Sequence, residues 1–278
     1  MPQRKALVLA VVIAAIATGG CGKKSYVRTS LGKQHYVEPA VNRISESRSR
    51  KERYSEASVQ RDLAEMPRYL AAGDFASVKQ VANALLKRNP ASVEAHTYLG
   101  VALDKTGDAT GAGQHYLRAA ELAPANGGML GNYGIWLCEQ GRVGESLTWF
   151  DRALALPNFS DSPVILANSG VCADKLGQQQ RAQRDLRRAI AADPENPVAL
   201  AALAAREFKA GNAFEARAFS ERRLAAAPAD PKALLLASQI EQKLGDSSAA
   251  ARYVSRLKTE FPDAPEARNS AMGDGGRQ

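Results

Sequence analysis

The sequence has few aromatic residues, few histidines and no long apolar run, and each shortage excludes a class of protein. Phe, Trp and Tyr make up 6% of the 278 residues, whereas alanine is abundant, which favours close helix packing over β-sheet. The three histidines, His35, His96 and His115, are scattered, without metal-protease spacing or an evident carboxylate partner. We therefore expect a helical protein that is not an enzyme and that binds neither a metal nor a cofactor.

The longest apolar stretch, residues 6–17, follows Arg4 and Lys5 at the N-terminus. Twelve residues are too few to span a bilayer, which needs about 20, so the stretch is typical of an export signal. Small residues and then Cys21 follow it, and residues 1–20 resemble the signal peptide of a bacterial lipoprotein. Cys21 would then be the lipidated first residue of the mature chain. The alternative is an ordinary secreted protein in which this cysteine is incidental.

The residue after the cysteine is Gly22 rather than the aspartate that retains lipoproteins in the inner membrane. This pattern points to the outer membrane of a Gram-negative cell, with the protein on its periplasmic face. Residues 21–58 are polar and basic, and we expect them to form the lipidated N-terminus and a flexible tether.

The formal net charge is +8 and the pI is near 9.5. A basic protein can bind nucleic acid, an anionic membrane surface or an acidic partner. Much of the excess charge lies before residue 57, and the rest of the chain carries no recurring set of polar residues that could read bases. We therefore expect no nucleic-acid partner.

Glycine recurs at a fixed period through the rest of the chain. Steps of 34 residues, with one step of 36, separate Gly73, Gly107, Gly141, Gly177, Gly211 and Gly245. Proline follows 17 residues after five of these glycines. A period of this size predicts an elongated array of stacked helix hairpins, because one hairpin cannot bury its apolar face alone.

Alignment on the glycines gives six units, 59–92, 93–126, 127–160, 163–196, 197–230 and 231–264, followed by a disordered tail at 265–278. A short helix around Glu266 to Arg268 is the alternative for the start of that tail. Unit two matches the tetratricopeptide pattern with Leu99, Gly100, Ala112, Tyr116, Ala119 and Pro124. The prediction is an all-α, right-handed superhelix of six tetratricopeptide hairpins. Such a fold is a protein-binding scaffold.

Two stretches go beyond the generic repeat: GNYGIWLCEQGR at 131–142 and ILANSGVCADKLG at 165–177, on either side of PNFSDSP. Together with six units behind a lipoprotein signal, they resemble the type IV pilus biogenesis and stability lipoproteins, the secretin pilotins. This resemblance implies a non-enzymatic outer-membrane lipoprotein that helps the pilus secretin reach the outer membrane and form its multimer. A general periplasmic scaffold lipoprotein for envelope or cell-wall assembly is the alternative.

Cys138 and Cys172 lie 34 residues apart in the first helices of units three and four. Because the two-residue extension lies between them, they are offset by two helical positions, about 200° of rotation. Opposed positions on neighbouring helices can face each other, so a disulfide can form in an oxidising periplasm. Two buried free thiols are the alternative.

Tetratricopeptide arrays usually bind a partner along the inner faces of their first helices. The second, fifth, ninth and twelfth places of each unit would line that groove, and in the first two units these include Leu63, Pro67, Leu70, Val101 and Asp104. An apolar groove there would suit an amphipathic helix from a partner. The alternative is that the segment before residue 59 folds back and covers these residues.

Overall fold

The computed structural model describes residues 50–272, and they form thirteen α-helices without a strand. The first six are α1 Arg50–Ala71, α2 Phe75–Arg88, α3 Val93–Lys105, α4 Ala109–Leu122, α5 Gly127–Glu139 and α6 Val143–Leu154. The others are α7 Pro163–Lys175, α8 Gln179–Ala192, α9 Pro197–Lys209, α10 Ala213–Ala226, α11 Pro231–Leu244, α12 Ser247–Glu260 and α13 Pro265–Met272. The predicted signal peptide, Cys21 and the last six residues of the chain lie outside the described residues.

The first twelve helices pair into six consecutive hairpins, α1 with α2 through α11 with α12. Most successive first helices also contact one another: α1 contacts α3, α5 contacts α7, and α9 contacts both α7 and α11. Successive second helices show no comparable packing in residues 50–272. The first helices therefore line the concave side of the array, and the predicted all-helical superhelix of hairpins is confirmed.

The periodic glycines form the turns inside the hairpins. All six adopt positive φ, between 72° and 88°, a region that side chains with a β-carbon rarely enter. In three hairpins the next residue, Asp74, Asp108 or Asp246, caps the second helix by accepting a hydrogen bond from a backbone N–H three residues on. Each turn thus ends one helix and starts the next within two or three residues.

Helix spacing within a hairpin depends on a small residue facing a large one. The eighth place of units two to four is glycine, and β-carbons added at Gly134 and Gly170 would lie 2.8 Å from Phe150 and 2.6 Å from Leu186. In unit five the corresponding places hold Ala204 and Ser220. Alanine is larger than the glycine of the other units, and serine is smaller than their phenylalanine or leucine. The sum of the two volumes, rather than either residue, sets how closely the helices approach.

The apolar core changes character along the array. One large cluster runs from Leu63 to Ala182 through units one to four, and two smaller clusters serve the C-terminal units. At the later junctions, arginines reach across to carboxylates: Arg206 pairs with Asp174 and Arg217 pairs with Glu241, which is 4% exposed. Polar contacts therefore supplement apolar packing in the C-terminal half.

Both ends of the described array differ in extent from the units drawn on the sequence. α1 begins at Arg50, so residues 50–58, assigned above to the tether, are helical. Beyond unit six, α13 occupies the start of the segment assigned to the tail and packs on α11 and α12. A final helix that covers the last hairpin is expected of a stack whose terminal apolar face would otherwise be open.

Candidate protein-binding site

The structure does not open a groove at the residues suggested for units one and two. Leu63 is 8% exposed, and Leu70 and Val101 are each 2% exposed, all within the large apolar cluster. Leu63 and Leu70 lie seven residues apart on the face of α1 that packs against α2 and α3. These three side chains are therefore core residues rather than an open surface, while Pro67 and Asp104 are half-buried.

Accessible apolar side chains at the groove positions lie instead in units four to six. We call this set the concave apolar stripe: Val171, Val198, Ala201, Ala205, Phe208 and Leu235. Ala205 is exposed and the others are half-buried. All six stand at the second, fifth, ninth or twelfth place of their units, the positions that the sequence assigns to the groove.

Acidic residues occupy groove positions nearer the N-terminal end. Glu94 and Asp104 stand at the second and twelfth places of unit two, and both are half-buried. Asp174, at the twelfth place of unit four, binds Arg206, which also donates to Gln179 Oε1 at 2.7 Å. The concave side therefore offers apolar contacts in its C-terminal half and carboxylates towards unit two.

Cys138 and Cys172 form a disulfide in the structure, with their Cα atoms 6.0 Å apart. The bridge links α5 to α7, and both residues are buried, at 4% and 2% exposure. Closing a loop of this length stabilises the folded state by roughly 3–4 kcal/mol in the chain-entropy model. It joins units three and four in the middle of the array.

Two histidines that are scattered in sequence meet in unit two. The Nδ1 atoms of His96 on α3 and His115 on α4 lie 2.8 Å apart, and Nε2 of His96 lies 3.0 Å from the carbonyl oxygen of Pro90. Burial is the largest cause that lowers the pKa of both imidazoles below the ordinary value of 6.5. Sequence reasoning missed this pair because the residues are 19 positions apart.

Nothing in the described residues resembles a metal centre: no three His, Cys, Asp or Glu side chains converge there. None of the helices in residues 50–272 has the length and apolar character needed to cross a bilayer.

A curved stack of six hairpins, with first helices along its concave side, defines a tetratricopeptide repeat scaffold. Two tetratricopeptide repeat family models match the chain, at residues 63–127 and 164–196. No curated protein sequence matches it. The repeat class is therefore supported independently by the sequence motif and by the fold.

Among solved structures, the chain is similar to PilW, described as a widely conserved type IV pilus biogenesis factor. The identity is 25% and the TM-score 0.66, over 77% of this chain and 98% of PilW. PilF of Pseudomonas aeruginosa gives 20% identity and a TM-score of 0.65, over 78% and 98% of the two chains. The structure of Cut9 with Hcn1 from the APC/C gives 13% identity and a TM-score of 0.66, over 75% of this chain and 41% of that chain. The last two likenesses are evidence of fold alone.

Proposed function

We propose that this protein is a non-enzymatic outer-membrane lipoprotein that binds the type IV pilus secretin and promotes its localisation and multimer assembly. The observation that carries the proposal is the similarity to PilW, which extends over 98% of that chain at 25% identity. The lipoprotein-like start of the sequence and the motifs at 131–142 and 165–177 support the same function.

The mechanism is passive tethering. An acylated Cys21 would hold the protein on the periplasmic face of the outer membrane, and two or more acyl chains are needed for a stable anchor. The repeat array would hold a secretin protomer near that membrane. Binding then raises the effective concentration of protomers where the multimer forms, without any chemical step.

The concave apolar stripe is the contact surface we assign to the secretin. Its half-buried residues lie at the groove positions of three successive units, an arrangement that suits an amphipathic helix laid along the array. Glu94 and Asp104 would favour a partner helix with basic residues at the end that reaches unit two.

Deletion of the gene tests the function in the cell. We expect heat-resistant secretin multimers to disappear from gels and secretin monomers to accumulate, and we expect the Cys21→Ser chain to fail to restore the multimers. Unchanged multimers in the deletion strain would refute the secretin role and favour a general envelope scaffold.

The contact surface is tested with a matched pair of substitutions. Ala205→Glu places a charge in the stripe on the first helix of unit five, whereas Ala225→Glu places it at an exposed position on the second helix of the same unit. We expect A205E to weaken binding of purified secretin by about tenfold or more, because the carboxylate must be desolvated, and A225E to bind normally. Equal binding by both variants would place the contact elsewhere.

A further inference from the structure

The protonation states of the histidine pair follow from its hydrogen bonds. A carbonyl oxygen can only accept, so Nε2 of His96, 3.0 Å from the oxygen of Pro90, carries a proton and donates it. Nδ1 of neutral His96 then carries no proton, and its lone pair can only accept a hydrogen bond. The Nδ1 atom of His115, 2.8 Å away, must donate to it.

These assignments leave one place for an additional proton. Nε2 of His115 carries a free lone pair when both rings are neutral. The side chain of His115 is half-buried, so this nitrogen can be protonated without breaking the contact between the two Nδ1 atoms. A second proton must go to Nδ1 of His96. Two N–H groups on two cations would then face each other at 2.8 Å, and the contact could not persist.

Nearby charges favour the same order of protonation. Arg118 opposes a positive charge on His96, and Asp108 favours one on His115. Both residues belong to α4 and its N-cap. Lys87 and Arg88, in the last turn of α2, are exposed, and the contact to α5 beside His96 is the uncharged pair of Thr97 and Met129.

We propose that His96 and His115 act as one proton-binding unit that holds α3 against α4 while it carries at most one positive charge. Uptake of a second proton separates the imidazoles and opens this hairpin. Because each unit of a repeat array is held only by its neighbours, opening unit two also frees unit one from units three to six.

The histidine tautomers can be measured by two-bond ¹H–¹⁵N NMR on the chain from residue 21 onward that carries Cys21→Ser. At pH 7.5 we expect the proton of His96 on Nε2 and that of His115 on Nδ1. On acidification, His115 becomes an imidazolium while His96 stays neutral for as long as the hairpin is folded. A folded species with both imidazoles protonated, or with both protons on Nε2, would overturn the proposal.

Native-state hydrogen exchange of the α3 and α4 amides tests the opening. Where the open hairpin binds one proton more than the closed one, its opening constant rises about tenfold for each pH unit of acidification. Between 6.5 and the lowered pKa of His115 the rise is steeper, because the closed pair binds no proton there. His96→Gln should reduce this dependence by removing the second proton, so that the opening constant stops rising once His115 is protonated in the closed state. His35→Gln, which changes the third histidine, should retain it. Identical pH dependence in the wild type and H96Q would refute the proton-coupled opening.

Discussion

Gly170→Ala is the most direct test of the volume complementarity that sets helix spacing. The added β-carbon would lie 2.6 Å from Cγ and 2.9 Å from Cδ2 of Leu186, and 3.1 Å from the backbone N of the same residue. The two closest contacts are with the Leu186 side chain, so either that side chain leaves its rotamer or α7 and α8 move apart, whereas the contact with the backbone N needs only a small shift. Overpacking a core costs about 1–3 kcal/mol, whereas alanine is favoured over glycine in a helix by about 0.8–1.0 kcal/mol.

We therefore expect Gly170→Ala to lower the free energy of unfolding by up to about 2 kcal/mol, measured by urea denaturation and circular dichroism. Gly144→Ala is the matched control, because a β-carbon there meets nothing within 4 Å. That substitution should stabilise the protein by up to about 1 kcal/mol.

A double-mutant cycle with Leu186→Ala separates steric conflict from other effects. L186A alone should cost about 2–5 kcal/mol through the cavity it leaves, and adding G170A should recover about 1 kcal/mol or more by filling part of that space. If G170A stabilises the protein as much as G144A does, or if the two core substitutions are additive, helix spacing does not depend on this pair.

Three further predictions concern the junctions and ends of units. Arg223→Ala should cost about 3 kcal/mol and raise hydrogen exchange mainly in unit six, because the guanidinium binds Asp230 at 2.5 Å and two carbonyl groups of the turn before α11. Under denaturing, non-reducing conditions the Cys21→Ser chain should show no reactive thiol, and two after reduction; two thiols before reduction would exclude the bridge. The hydrogen bond from the backbone N–H of Ala249 is the largest cause that lowers the pKa of Asp246 below 3.8. The ionised Asp246 cap therefore stabilises the fold above pH 3.8, and this stabilisation is lost as the pH falls through the lowered pKa. Asp246→Asn should reduce the loss of thermal stability between pH 5 and pH 2, and an unchanged loss would show that this cap is not responsible.

The turns could be predicted from the sequence because they depend on one local property. A residue with positive φ between two helices is nearly always glycine, so the periodic glycines located all six turns. The roles of Gly134 and Gly170 could also be predicted from the residue type, because the close approach of the two helices in a hairpin excludes a β-carbon at these places. Both inferences need only the residue itself and the period.

The groove rule did not anticipate that Leu63, Leu70 and Val101 are buried, because exposure depends on neighbouring units. Pro67 and Asp104, from the same prediction, are half-buried. The rule that assigns inner-face positions says which way a side chain points, but not whether another helix covers it. In unit one, Met66 stands at the eighth place where units two to four have glycine, and Leu63, Met66 and Leu70 together form the buried face of α1. A divergent end unit therefore cannot be interpreted by analogy with internal ones.

The contact between His96 and His115 could have been predicted from the sequence, but only by comparing the same places in different units. His96 occupies the fourth place of unit two, where later units have the buried leucines Leu130, Leu166, Leu200 and Leu234. His115 occupies the twenty-third place, which faces the fourth across the hairpin. A polar residue at one of these places could be incidental, but polar residues at both, of a kind that can share a proton, indicate an interaction.

The position of the disulfide has a consequence for how the array can open. Stability in a repeat array is the sum of unit and junction contributions, so opening begins where these are weakest. The bridge ties unit three to unit four and leaves the junctions on either side without a covalent link. On the N-terminal side lies the histidine-linked hairpin, and on the C-terminal side lie the arginine–carboxylate junctions. Acid should therefore act first on units one and two, whereas high salt should weaken the exposed part of the C-terminal ion pairs, and the central pair of units should be the last to unfold under either condition.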